Sequence, residues 1–398
     1  MPVLSYDRSA PIAVGLRIAA RAVIVLAGLA LVLLALAMGR DWREAHMLPD
    51  LVVPWRLRVA LVDVERVLLA AAGLALLIGV RPFVDGQLRA GRGGALLRRS
   101  VVVLGALLLA LLASEALLRW VVWRDDAPWR VDRAPERVAD ARLGWRNAPD
   151  RAAIDPFYRS APVYVIDGTG HRVASRARPV DYRRPAILFT GESILFGSGL
   201  NWRDTIPGRL EALTGTPAAN LAVNAYATDQ ANQRLADELP RFAHPVAVVA
   251  IFSPSLLERN LLRNRPWRDA GGRWHAAEPE WRLQHLARFL LPFHGRAAIA
   301  EMVGRTRSAL QADMALAHAR GVPAVVLIPQ FLPETTPEAA LRHGVLDGSG
   351  IPWLRVPLDP AWRLAPDYHP DARADRAMAL ALARWLGSGR APQSAAGN

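Results

Sequence analysis

Three long apolar runs fill the first third of the chain and restrict what it can fold into. Ala22 to Met38 is almost uninterrupted Val, Ile, Leu and Ala, with Arg17 and Arg21 at its start. With its flank it reaches the roughly 20 residues that carry a helix across a bilayer. A second run extends from about Val59 to Val80, and a third from Val101 to Leu118, closed by Arg119, Trp120 and Trp123. Backbone in hydrocarbon has to satisfy its own N–H and C=O groups, which makes such runs helical. A signal peptide is the competing reading of the first run; its length and the two runs after it favour an anchor. The sequence therefore predicts a transmembrane region over 1–123, with helices near 20–38, 59–80 and 101–120.

Charges inside these runs are expected at headgroup level, because charge in the bilayer centre is costly. Asp63 and Glu65 open the second run and can pair with Arg66; Glu115 lies in the last turns of the third. The loop between runs two and three holds Arg81, Arg89, Arg92, Arg98 and Arg99 against Asp85. The loop between runs one and two mixes arginine with acidic residues. By the positive-inside rule the arginine-rich loop is cytoplasmic, and the large C-terminal part is outside. In a bacterium with two membranes this means the inner membrane, with the C-terminal domain in the periplasm.

Composition narrows the function classes. The 398 residues are 52% hydrophobic with a formal charge of +13. There is no lysine, so all 49 basic residues are arginine, a uniformity that looks like a coding bias. A basic balance suggests nucleic acid, but many arginines flank the apolar runs, where membrane-side placement explains them, and no nucleic-acid partner is expected. With no cysteine there is no disulfide, thiol nucleophile or thiolate-ligated metal.

Beyond the apolar runs, residues 124–184 read as a linker and irregular lead-in with one hairpin, Val163–Ile166 followed by the turn Asp167–Gly170. From 185 the pattern alternates. Strands are predicted at Ala186–Thr190, Ala219–Val223, Val246–Phe252, Ala324–Ile328 and Trp353–Val356. Helices are predicted near Asp204–Leu213, Asp229–Leu239, Ala297–Arg320 and Asp371–Leu386. Alternating strands and helices argue for an α/β fold: a mostly parallel sheet covered on both faces. This domain is placed at 185–388, with a disordered tail over 389–398. Asn264 to Pro292, rich in Trp, Arg and His, is an insertion that reads as a lid, as a substrate surface or as a solvated loop.

Two loops carry chemistry. Ile187 to Thr190 is a short apolar strand broken at Gly191, and Ser193 sits just past its carboxyl end, where ligands collect in open α/β sheets. A serine there either caps the turn or exposes its hydroxyl as a nucleophile beside backbone N–H groups. Pro366-Asp367-Tyr368-His369-Pro370 follows the last predicted strand. Asp367 and His369 either cap the next helix or form the aspartate-supported base that a serine nucleophile needs.

The order Gly191-Glu192-Ser193, then Asn220-Leu-Ala-Val-Asn-Ala-Tyr226-Ala-Thr-Asp229-Gln230, then Asp367-Tyr-His369-Pro370 resembles the SGNH (GDSL-type) hydrolases, in particular their membrane-anchored bacterial branch. Leu143-Gly-Trp-Arg146 and Asp167–Arg172 match that branch's lead-in. The resemblance covers roughly Arg137 to Leu386. It implies a three-layer α/β/α sandwich, with Ser193 as nucleophile, His369 as base and Asp367 as its support. It implies an oxyanion hole that includes the Ser193 and Ala222 N–H groups, and no metal or organic cofactor; Asn224 is read from the sequence as a candidate further donor. The implied activity is that of an extracytoplasmic esterase or acyltransferase. Its implied partners are the lipid bilayer, an acylated glycan or lipid, and envelope polysaccharide machinery. A catalytically weak glycan-binding or assembly subunit is the alternative, because the chain departs from the family. Glu192 replaces the usual aspartate, Ala222 and Ala225 stand where glycines are usual, and Ile251-Phe-Ser-Pro-Ser255 lacks the third-block asparagine. Ser253, Ser255, Asn224 and Asn260 are the candidate substitutes.

Overall fold

The computed structural model describes residues 9–50, 53–122, 136–269 and 271–388. The expected tail and the start of the expected linker lie outside these residues. The chain divides into two compact units: 1–45 with 55–124 and 281–293, and 46–54 with 125–280 and 294–398.

The first unit is helical. Helix α1 covers Ser9–Ala37, α2 Arg40–His46, α3 Trp55–Ala75, α4 Arg81–Arg89 and α5 Gly93–Leu117. A π-helical turn at Leu76–Val80 joins α3 to α4, so one helical stretch runs over Trp55–Arg89. Among the described residues, three stretches are long and apolar enough to cross a membrane: Arg17–Ala37, Trp55–Arg89 and Gly93–Trp120. Helices α1 and α3 touch through glycine, where a Cβ on Gly73 would stand 2.6 Å from the Gly28 carbonyl oxygen. Small residues let apolar helices approach this closely. Asp63 pairs with Arg66 at 2.9 Å as the spacing predicts, and also with Arg43 at 2.6 Å. Glu65 does not join them: one of its carboxylate oxygens is buried without a partner among the described residues. The segment 281–293 belongs to this unit and contains the helix Arg282–Leu290.

The second unit is a three-layer α/β/α sandwich. Its strands are β1 Arg137–Asp140, β2 Gly144–Asn147, β3 Ala152–Ile154, β4 Val163–Ile166, β5 Arg172–Val173, β6 Ala186–Phe189, β7 Ala218–Asn220, β8 Pro245–Ile251, β9 Trp267–Arg268, β10 Trp274–His275, β11 Ala324–Gln330 and β12 Trp353–Pro357. Its helices are α6 Ser193–Phe196, α7 Ile206–Thr214, α8 Thr228–Glu238, α10 Arg296–Ala319, α11 Thr336–Val345 and α12 Ala372–Ser388, the helix Arg282–Leu290 being α9. Eight strands form one sheet in the order β12-β11-β8-β6-β7-β5-β4-β3. The five on the β12 side, through β7, are parallel and correspond to the five strands predicted from sequence.

Alternation along the strands places the two helical layers. Ile187, Phe189, Val249, Val325 and Leu327 point into a core shared with Leu210 of α7 and Met378 and Leu382 of α12. Their neighbours Leu188 and Val248 pack with Leu235 of α8, and Val326 and Ile328 with Met302 and Leu310 of α10. Both faces are covered, as a parallel sheet requires.

The lead-in differs from its reading. Strands β3, β4 and β5 extend the sheet antiparallel past β7, so the expected boundary at 185 falls inside the second unit.

One buried carboxyl sets a pH dependence. Asp313 on α10 is fully buried, and burial pushes its carboxyl up to about 7 although Asn232 donates to it at 2.7 Å. The unfolded chain releases this proton near pH 4, whereas the fold keeps it to about pH 7. Stability therefore falls as pH rises across that window, by up to about 4 kcal/mol for about three pH units, and is flat above it. Asp313→Asn is expected to raise the thermal midpoint at pH 8 by about 10 °C at most, with the gain vanishing towards pH 4. Equal midpoints at pH 8 would show that Asp313 carries no such penalty.

Candidate active site

The loop after β6 turns sharply at Gly191, whose φ is +155°. A Cβ there would meet the Ile251 side chain at 2.6 Å, so only glycine allows the close approach to β8. Ser193 then opens α6. It does not cap the turn: Glu192 is the N-cap, and its carboxylate accepts from the Ile194 N–H at 3.3 Å. The Ser193 N–H, first of the helix, has no intrahelical acceptor.

The loop before α12 resolves in the same way. Asp371 caps that helix, its carboxylate accepting from the N–H groups of Arg373 at 2.8 Å and Ala374 at 3.1 Å. Asp367 and His369 are thereby free for other work. Tyr368 between them takes a left-handed φ of +62°, a conformation that costs a non-glycine residue about 1–3 kcal/mol.

These loops meet. His369 Nε2 lies 2.7 Å from Ser193 Oγ, and His369 Nδ1 lies 2.7 Å from Asp367 Oδ2. With the Nδ1–H donated to Asp367, Nε2 is left as an acceptor for the serine proton, the tautomer a general base needs. Ser193 is 4% and His369 9% exposed, so their contact is largely screened from water.

Tyr158, in the lead-in between β3 and β4, completes this chain and was not foreseen. Its hydroxyl donates to Asp367 Oδ2 at 2.5 Å and lies 3.4 Å from His369 Nδ1. Burial and the bond to Asp367 raise the phenol's pKa, so it stays a donor. For Asp367, burial works against ionisation, yet the bonds from His369 and Tyr158 outweigh it and hold the carboxyl below its usual value. Tyr158→Phe removes one bond to a charged group, a loss of about 1.5–3 kcal/mol. It is expected to slow ester turnover about 10- to 100-fold and to move the acid limb of the pH–rate profile upward. An unchanged rate and profile would remove Tyr158 from the site.

Glu192 is closer to the chemistry than its place in the motif suggests. The Ser193 hydroxyl also lies within a short hydrogen bond of Glu192 Oε2. Arg259, in the 3₁₀ stretch Pro254–Leu261 after β8, reaches that same oxygen at 3.3 Å. One serine proton thus faces two acceptors, a carboxylate and an imidazole. The guanidinium weakens the carboxylate's hold by neutralising it. Arg259 lies beyond the Ile251–Ser255 segment that drew attention in the sequence, and nothing around it there marks it.

The expected oxyanion donors are placed differently. The Ala222 N–H is already donated to Asn220 Oδ1 at 3.1 Å. The Asn224 carboxamide is tied at both ends: its nitrogen donates to Glu136 at 2.8 Å and its oxygen accepts from Ser198 at 2.6 Å. Asn260 is likewise held by Thr228 and Thr306. Ser253 lines a small cavity with Gly191 and Glu192. Of the Ser193 N–H, the Ala222 N–H and the Asn224 carboxamide, the Ser193 N–H alone has no acceptor among the described residues.

Behind the serine loop lies Arg172, fully buried. Its guanidinium donates to the carbonyls of Phe196, Gly197 and Leu200, the Gly197 bond being 2.8 Å. It lies 4.5 Å from the centroid of the Tyr164 ring and 4.6 Å from that of Phe196. Burial lowers its pKa to about 10, which leaves it charged at neutral pH.

No family model matches the sequence, and no curated protein matches it. Among solved structures the chain is similar to a lipolytic protein of the G-D-S-L family from Veillonella parvula, at 10% identity over 51% of this chain and 99% of that one, with a TM-score of 0.32. It is similar to an acetylxylan esterase from Geobacillus stearothermophilus at 9% identity over 51% and 94%, with a TM-score of 0.31. A family two carbohydrate esterase from Clostridium thermocellum, solved with cellohexaose, is similar at 11% identity over 55% and 67%, with a TM-score of 0.34.

Proposed function

We propose that this chain is a membrane-anchored serine esterase or acyltransferase. Its α/β domain faces the extracytoplasmic side of a bacterial inner membrane. Its substrates are O-acyl groups of envelope glycans, exopolysaccharide or lipid. The observation that carries this reading is the hydrogen-bonded line Ser193–His369–Asp367, with both links at 2.7 Å. Ser193 Oγ attacks the acyl carbonyl carbon while its proton passes to His369 Nε2. Asp367 holds the resulting imidazolium, and the Ser193 N–H donates to the oxyanion. Collapse of the intermediate expels the alcohol, which takes the proton from His369. Water or a sugar hydroxyl then releases the acyl group from Ser193 by the same steps in reverse.

A second reading is a glycan-binding or assembly subunit of an envelope complex with little turnover. The engaged Ala222 N–H and the tied Asn224 favour it, because loss of one oxyanion donor costs about 100- to 1,000-fold in rate. Labelling of the detergent-solubilised full chain by a fluorophosphonate, beside Ser193→Ala, separates the two. Labelling that depends on Ser193 supports the enzyme. A folded wild-type chain that takes no label supports the binding subunit.

A further inference from the structure

Glu115 and the insertion meet in a way that neither showed in sequence. Glu115 lies near the end of the third apolar stretch and is 6% exposed. Its two carboxylate oxygens accept from the first backbone N–H groups of α9, Arg282 at 3.0 Å and Leu283 at 2.8 Å. Arg119, one turn on, closes the arrangement at 2.7 Å. The first N–H groups of a helix have no intrahelical partner and carry its positive dipole end, so a carboxylate there is doubly suited. At the other end of the segment, Phe293 packs edge-on against Trp42 of α2, centroids 5.3 Å apart.

Helix α9 is amphipathic. Leu283, Leu286, Ala287 and Leu290 share one face at helical spacing, and Gln284, His285 and Arg288 share the opposite one. The apolar face is open: Leu286 is 41% and Leu290 53% exposed, and Trp281 at the N-cap is 54% exposed. Glu115 fixes the depth of this open face. It lies five residues before Trp120, about 7.5 Å along the axis. The stretch Gly93–Trp120 is 28 residues long, about 42 Å against a hydrocarbon layer of about 30 Å. A centred helix then overhangs by about 6 Å at each end, which puts Glu115 at the edge of the hydrocarbon. Leu109 and Leu112, which precede Glu115 on α5, are exposed as Leu286 is.

We propose that α9 lies in the headgroup layer of the bilayer with Leu286 and Leu290 turned into the acyl chains. Glu115 clips its N-terminus to the end of the third transmembrane helix. This rests on the membrane reading above. The inserted segment is thus a second membrane-contacting element, in the manner of interfacial helices that bury an apolar face about 5–10 Å deep.

The absence of cysteine permits a direct test. Leu286→Cys, Leu290→Cys, Gln284→Cys and Leu109→Cys in the full chain each carry one nitroxide after labelling. The proteins are placed in phosphatidylethanolamine–phosphatidylglycerol vesicles, and collisions with oxygen and with a water-soluble nickel chelate are compared. Oxygen is expected to dominate several-fold at 286 and 290, at a shallower depth than at 109, with nickel dominating at 284. Nickel dominance at 286 and 290 with oxygen dominance at 109 would overturn the proposal and leave the anchor standing. Nickel dominance at 109 as well would remove the anchor and the proposal together. Protection of 286 and 290 from both reagents would mean that protein rather than lipid covers α9, which also overturns it.

Discussion

The full chain carrying His369→Ala is expected to hydrolyse a short-chain aryl ester on the order of 10⁶-fold more slowly than wild type, and Ser193→Ala about equally so. The two residues act as one unit, since the 2.7 Å bond between them is the route of the proton. The double variant is therefore expected to be no slower than either single one. This distinguishes a coupled nucleophile and base from two residues that merely shape a pocket, whose losses would multiply. Near-normal turnover in either single variant would end the serine-enzyme reading. So would a double variant slower than both by a further large factor, because proton transfer would then not be shared.

The second large effect is conditional. Exchanging the aspartate of such a line for asparagine typically costs about 10⁴-fold, because the amide NH₂ turns to the imidazole and forces the wrong tautomer. Here two donors converge on one oxygen: Tyr158 at 2.5 Å and His369 Nδ1 at 2.7 Å both meet Asp367 Oδ2. An amide in that position keeps its oxygen towards both donors. Asp367→Asn alone is then expected to lose the charge but keep the tautomer, and to cost less than 10⁴-fold. Adding Tyr158→Phe frees the amide to flip, and the loss is expected to deepen to about 10⁴-fold. Rates of the two single variants and the double variant on the same ester decide it. A full 10⁴-fold loss already present in Asp367→Asn, with no further loss in the double, would show that Tyr158 does not fix the orientation.

The five parallel strands and the helices around them were legible because a strand buried on both faces reads as a continuous apolar run, as Ala324–Ile328 does. Ser193, Asp367 and His369 were legible because each sits in a loop at a predicted strand's carboxyl end. Strand β4 was legible as the arm of a hairpin, but β3, β5 and the joining of all three to the sheet were not, since these strands are two to four residues long and too short to show a period of two. Tyr158 was missed for the same reason: its role comes from a contact with a residue 209 positions away, and nothing around it in sequence marks it. Asp371 as the cap was hidden behind Asp367 and His369, two equally plausible caps within four residues. The oxyanion donors were misplaced because motif position specifies a backbone, not where Asn220, Glu136 and Ser198 aim their side chains. Helix α9 was obscured by the charge of its surroundings. Its four-residue apolar spacing is short, and Glu115, which holds its N-terminus, is remote in the chain.

Arg172 bears on how this protein can be dissected. The three carbonyls it holds all belong to the stretch just after the nucleophile, while Arg172 itself comes from β5, twenty-one residues before Ser193. The smallest fragment able to present that serine correctly therefore cannot begin at the first parallel strand. A fragment cut at 185 retains every residue of the Ser193–His369–Asp367 line, yet it loses the cation that shapes the serine's loop and the phenol that steadies its aspartate. The lead-in thus serves as an internal scaffold for the reaction centre, and a truncation that respects the chemistry has to start ahead of Tyr158.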